Sequence, residues 1–320
     1  MPEIEELSEA NSLFCDPETG VCEIPGMAQK LEEKPAVVPE AKKLKAIYFT
    51  DPICSACWGI EPQLRKMKLE YGDQLEIEYR MGGLLPDFRY SAGGMNGPAD
   101  VAHHWEEVSE HYDMPIDGDV WLEDPLASSY PPSIAFKAAQ MQDNEKAVIF
   151  LRKLRELLFL EKQNIARWEV VEAAAVYANL DAEKMKSDVS GDAIKKFEDD
   201  LHLTRQMYVR GFPTVYFTDG NENLEIVYGA RPYAHYEAAI NKMNRDAERS
   251  DYDKSWKGIF SSFPTLTTRE YAELTETPRH KAEAVLQALA DAGSIERQDS
   301  KNGPIWKREQ AVDPSKLSQG

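Results

Sequence analysis

Long apolar runs are missing from this chain. No stretch of about 20 apolar residues occurs, so no membrane span is expected. Basic residues are also short: 37 Lys and Arg stand against 56 Asp and Glu, a net charge of −19. That balance argues against generic binding to nucleic acid or anionic membrane. Cysteine is scarce, with four residues in two close pairs, Cys15/Cys22 and Cys54/Cys57. The amino terminus, Met1-Pro2-Glu3-Ile4-Glu5-Glu6, lacks the basic and apolar regions of a secretory signal. The expected location is the cytoplasm. Hydrophobic residues make up 42% of the chain, enough for a sizeable core, and 320 residues predict two domains.

The most informative stretch runs from Asp51 to Pro62. It follows an apolar run, Leu44 to Phe49, that reads as a buried strand, and it opens a helical segment, Glu61 to Tyr71. Within it, Cys54-Ser55-Ala56-Cys57 is a C-x-x-C at a strand–helix junction, the redox form of the motif. The first turn of a helix presents unpaired N–H groups and a partial positive charge, which stabilise a thiolate. Cys54 is therefore expected to have a lowered pKa and to attack, with Cys57 resolving the mixed disulfide. Pro62 is placed inside the helix, where it would kink the rod.

Pro62, eight residues after Cys54, and the distant Arg210-Gly211-Phe212-Pro213-Thr214 carry a resemblance to the thioredoxin fold. Over roughly residues 44 to 250 the chain resembles the DsbA branch of that superfamily, and within it the cytosolic FrnE-like and YjbH/SpxH-like members. The resemblance implies an α/β thioredoxin-like fold with a helical insertion near residues 99–208. It also implies a cis Phe212–Pro213 bond facing the cysteines. Phe212, Pro213 and Trp58 are the expected substrate-binding residues, and Asp51 and Glu61 the accessory carboxylates. Ser55-Ala56 replaces the Pro-His of strongly oxidising relatives, so a less depressed Cys54 pKa and a less oxidising couple are expected.

Residues 1–43 read as an acidic, loosely ordered arm. Pro17 and Gly20 favour a turn that would bring Cys15 and Cys22 together. These two thiols are a second redox pair, half of a four-cysteine zinc site, or incidental. The redox reading is preferred, and no metal or cofactor is assigned. Leu75 to Arg80 alternates like a half-buried strand. Helical spacing follows at 99–111, 133–141, 145–161, 168–178 and 192–209. Trp105, Trp121, Trp168 and Tyr130 are expected in the core, and His103, His104 and His111 in structural roles. A hairpin, Thr214–Thr218 with Leu224–Tyr228, and a helix over 233–249 complete the domain at about residue 252.

Residues 253–320 form a separate, small α+β module. Two helices, 266–275 and 277–292, precede strands around Asn302-Gly303, a strong hairpin signal. The order resembles a winged helix, in which Arg279, His280 and Lys281 would start the second helix. From residue 255 onward, however, basic and acidic residues balance at nine each, so a protein partner is preferred over DNA.

Two functions follow. One is thiol–disulfide exchange with protein thiols or disulfides as reductase, isomerase or oxidase. The other, implied by the YjbH/SpxH-like resemblance, is an adaptor that delivers a transcription regulator to the ClpXP protease.

Overall fold

A computed structural model describes residues 14–15, 22–23, 43–88, 97–220 and 223–308. The chain divides into two compact units, Met1–Ala41 and Lys42–Gly320. In the first, β1 (Phe14–Cys15) and β2 (Cys22–Glu23) pair antiparallel with Cys15 opposite Cys22.

The second unit is organised on β3 (Leu44–Thr50), whose apolar residues suit a central strand. It pairs parallel with β4 (Leu75–Met81) and antiparallel with β5 (Thr214–Thr218), and β5 pairs with β6 (Leu224–Tyr228). The sheet order is β4-β3-β5-β6. A parallel neighbour needs a crossover. Here α1 (Ser55–Gly59) and α2 (Glu61–Tyr71) supply it. Pro62 does not kink a continuous helix, contrary to expectation. Its missing N–H and bulky ring are tolerated in a first turn, so the rod breaks at Ile60 and Pro62 opens α2. On the same sheet face, α10 (Tyr233–Met243) joins α2 over a core that includes Leu64, Met67, Val215, Phe217 and Tyr236.

Between β4 and β5 lie α3 (Pro98–Tyr112), α4 (Val120–Glu123), α5 (Tyr130–Gln142), α6 (Asn144–Glu161), α7 (Trp168–Tyr177), α8 (Ala182–Asp188) and α9 (Asp192–Gln206). The short α4 and α8 were not expected, because two turns or fewer leave little periodicity. Trp105 and Trp121 are buried in this cap, and Tyr130 and Trp168 pack against its core as expected. No helix among the described residues is long and apolar enough to cross a membrane.

The carboxyl-terminal elements are α11 (Trp256–Ser262), β7 (Thr265–Thr267), α12 (Thr268–Thr275), α13 (Arg279–Asp291), β8 (Glu296–Ser300) and β9 (Gly303–Lys307). Their sheet runs β7-β9-β8. The helix expected from Leu266 starts later. Thr265–Thr267 pairs with β9, and a capping box between Thr267 and Glu270 then opens α12.

Candidate functional site

The two thiols sit at the carboxyl end of β3. Cys54 occupies the N-cap of α1, where its sulfur accepts the Cys57 N–H at 3.2 Å in place of a capping oxygen. Both cysteines are buried. Burial pushes the Cys54 thiol up and the Cys57 thiol adds to this; the Cys57 N–H and the Arg155 charge pull the other way without offsetting it. Cys57 goes down. Burial opposes this, but the Cys54 thiol, the Arg155 charge and the Thr50 and Tyr48 hydroxyls outweigh it. Within the reduced pair Cys57 is therefore the more acidic thiol and Cys54 the less acidic. This reverses the lowered Cys54 pKa expected from the helix terminus. A five-residue helix offers one favourable N–H, while the other charge-stabilising groups converge on Cys57.

Beneath the motif lies a polar layer. Arg155, fully buried on α6, donates to Glu61 at 2.5 Å, to the Thr50 hydroxyl at 2.7 Å and to the Asp51 carbonyl at 3.2 Å. Thr50 in turn donates to the Tyr48 hydroxyl at 3.0 Å. The Asp51 carboxylate accepts the Ile53 N–H at 3.1 Å, the Leu84 N–H at 2.8 Å and the Ser129 hydroxyl at 2.8 Å. Burial, opposed by these hydrogen bonds, pushes its carboxyl up to about 6. Asp51 therefore staples the C-x-x-C turn to the start of α5, and Glu61 is a buried ion-pair member rather than a surface carboxylate.

The Phe212–Pro213 bond is cis, as expected. The Pro213 carbonyl accepts the Gly229 N–H at 2.8 Å, and Phe212 packs against the core that holds both cysteines. A side chain on Gly82 would come within 1.9 Å of the Phe212 ring, so glycine is required for that approach. Trp58 does not line a substrate groove. It is fully buried, donates to the Pro115 carbonyl at 3.1 Å and stacks on Phe159 with ring centroids 5.5 Å apart. His103 and His111 are exposed on α3 and His104 half-buried, and none of them is a hydrogen-bond partner of the thiols.

A second constellation escaped the sequence reading. Arg152, on α6, lies over the Trp58 ring at 4.3 Å. It donates to Glu156 at 2.8 Å and, through both terminal nitrogens, to Glu270 of α12 at 2.6 and 3.0 Å. Arg65 of α2 meets Glu270 at 3.2 Å and donates to the Thr265 carbonyl at 2.7 Å. All of these side chains are buried, and Arg152 and Arg65 hold the Glu270 carboxyl below its usual range against the effect of burial. The seam thus joins the C-x-x-C helix, the helical cap and the carboxyl-terminal module. Its sequence signal was the pairs Glu61/Arg65 and Arg152/Glu156, spaced four apart on faces that are otherwise apolar.

The module is clamped at its other side too. Lys301, in the turn between β8 and β9, bridges Glu106 at 3.0 Å and Asp119 at 2.8 Å, and Asn302 donates to the Ile116 carbonyl at 2.7 Å. Arg279 pairs with Asp113 at 2.9 Å. Among the described residues Glu106, Asp117 and Asp119 are spaced closely enough for a metal, but the Lys301 ammonium already sits on two of them.

The thioredoxin family model matches residues 48–238. A Halalkalibacterium halodurans protein named ClpXP adapter protein SpxH is 34% identical over 303 residues, covering 93% of this chain and 97% of its own. The protein of the same name from Bacillus subtilis is 29% identical, covering 83% and 89%. Among solved structures, the cytosolic disulfide reductase DsbM of Pseudomonas aeruginosa aligns with a TM-score of 0.51 at 21% identity, over 62% of this chain and 99% of its own. A candidate protein disulfide isomerase of Nitrosomonas europaea gives 0.54 at 20%, over 62% and 97%. These two likenesses concern the fold. The chain belongs to the thioredoxin family, with a DsbA-like fold, and to the group of proteins that includes SpxH.

Proposed function

We propose that this chain is a cytoplasmic adaptor that binds a regulator protein and presents it to the ClpXP protease. The observation that carries this reading is the 34% identity to a ClpXP adapter over 93% of the chain, carboxyl-terminal module included. Buried thiols support it, since reactive cysteines are usually part-exposed. In this reading residues 1–43 are an arm, 44–252 the thioredoxin unit and 253–320 a winged-helix-like module that meets protein. Arg279 and Lys301, which a DNA reader would direct to phosphates, are held in ion pairs instead.

Thiol–disulfide exchange is the second reading, favoured by the capped Cys54 sulfur beside Cys57 and the cis-Pro213 loop. A substrate disulfide would be attacked by Cys54 as its proton leaves, releasing one substrate thiolate. Cys57 would then displace the other, leaving Cys54–Cys57 oxidised and the substrate reduced by two electrons. Cys15 and Cys22, opposite each other on β1 and β2, are proposed as a second redox pair, and peptide mapping without reductant after diamide treatment should find them joined.

The deciding experiment follows degradation of the regulator by purified ClpXP with and without the chain. At least fivefold acceleration that survives Cys54→Ser is expected. No acceleration, together with insulin reduction that Cys54→Ser abolishes, would make exchange the function.

A further inference from the structure

The sheet ends at β6, which pairs with β5 alone, so the outer edge of β6 has no strand partner among the described residues. One face of this strand is bare. Leu224, Ile226 and Tyr228 are 46, 50 and 53% exposed, and Tyr208, the residue after Met207, is 83% exposed. Two contacts fix the neighbourhood. The Tyr216 hydroxyl donates to the Met207 carbonyl at 2.6 Å, and Tyr216 is the cross-strand partner of Ile226. A side chain on Gly211 would meet the Tyr228 hydroxyl at 2.9 Å. The patch therefore borders the loop that contains cis-Pro213.

Tyr208 is the telling residue. It follows α9 with φ +53°, a left-handed position that glycine fills without strain. A tyrosine there costs about 1 kcal/mol or more and recovers nothing by burial. The fold gives no reason for the ring. Contiguous exposed apolar side chains mark interaction sites. The charge at the rim is also unusual. In a chain of net charge −19, Arg210 and Arg231 both lie toward the Tyr228 end of the patch, both exposed and neither in an ion pair among the described residues. Arg231 instead donates to the Tyr228 carbonyl at 3.1 Å.

We propose that the free edge of β6 with this aromatic patch docks an extended, apolar segment of a partner protein that carries Asp or Glu at one end. The segment adds a strand to β6, its apolar side chains cover Ile226 and Tyr228, and its acidic end meets Arg210 and Arg231. A second copy of this chain fits poorly, because it brings the same arginines and a further −19 of charge. The inference rests on the adaptor reading, for which it names the kind of segment that is gripped.

The test uses the full chain and two fluorescein-labelled peptides, Asp-Asp-Val-Ile-Val-Tyr-Asp-Asp and its Lys-flanked counterpart, followed by anisotropy. The acidic peptide should bind at least tenfold more tightly than the basic one. Arg210→Glu with Arg231→Glu should reverse that order, and Ile226→Asp should weaken acidic-peptide binding at least tenfold. Tyr208→Gly relieves the backbone, so it should raise the melting temperature while weakening binding, a combination that a purely structural tyrosine would not give. Equal affinity for both peptides, or acidic-peptide affinity unchanged in Ile226→Asp and Tyr208→Gly, overturns the proposal. So does a dimer in sedimentation that Ile226→Asp disperses. The ClpXP assay with the unmodified chain keeps the two ideas apart. Acceleration that the patch variants leave intact removes this surface and spares the adaptor reading. Peptide discrimination without acceleration does the reverse.

Discussion

The thiol end of β3 and the seam between α2, α6 and α12 are both buried and lie one tryptophan apart, yet they hold charge differently. At the thiols one fully buried guanidinium, Arg155, faces hydroxyls, a carbonyl and a single carboxylate. At the seam two guanidiniums share Glu270, with Glu156 and Glu61 close by. The first arrangement answers its cation mainly with neutral hydrogen-bond partners; the second answers its two cations with carboxylates. Neutral polar partners make a tunable site, whereas matched ion pairs make a fixed joint.

The largest effect should come from unbalancing the joint. Glu270→Ala strands Arg65 and Arg152 without their shared carboxylate and also removes the capping box. Loss of one member of a buried pair costs about 3–5 kcal/mol. Chemical denaturation should show that loss, and limited proteolysis should show new cleavage near Phe263. A variant within about 1 kcal/mol of the parent would mean the joint is not where the module is held.

Asp51 sharpens the other side of the comparison. Its carboxyl rises from 3.8 to about 6 in the folded chain, which therefore binds a proton that the unfolded chain releases. That stabilisation is fully present below about pH 4 and is lost as pH rises through about 6, up to about 3 kcal/mol in all. Denaturant melts of the parent and Asp51→Ala should show their gap narrowing from pH 4 to pH 7. A constant gap would deny the buried, protonated carboxyl. The smallest effect is expected where charge meets water. Arg279→Ala breaks the exposed pair with Asp113 and should change stability by less than about 1 kcal/mol, less still in high salt.

Features set by neighbours in the chain were legible in advance. The C-x-x-C at a strand–helix junction, the parallel β3–β4 unit and the β5–β6 hairpin follow from short motifs, and the cis Phe212–Pro213 bond from the family resemblance. Features set by distant partners were not. Trp58 read as a groove residue because nothing nearby discloses that Pro115 and Phe159 enclose it. Glu270 carries no local signal of its role, since its partner Arg152 lies 118 residues earlier. Cys54 read as the low-pKa thiol because the helix terminus is local, while Arg155 comes from the cap. Leu266 and Thr267 read as helix because the strand that recruits them, β9, comes later.

The seam also bears on how such a chain can change over generations. Arg152 touches the motif helix through Trp58, its own helix through Glu156 and the last module through Glu270. Those three segments cannot be exchanged one at a time with counterparts from another lineage, because each swap would bury a charge without its mate. The carboxyl-terminal module is therefore not an interchangeable part bolted onto a redox fold. A charge-altering substitution on one side of the joint calls for an answering one on the other.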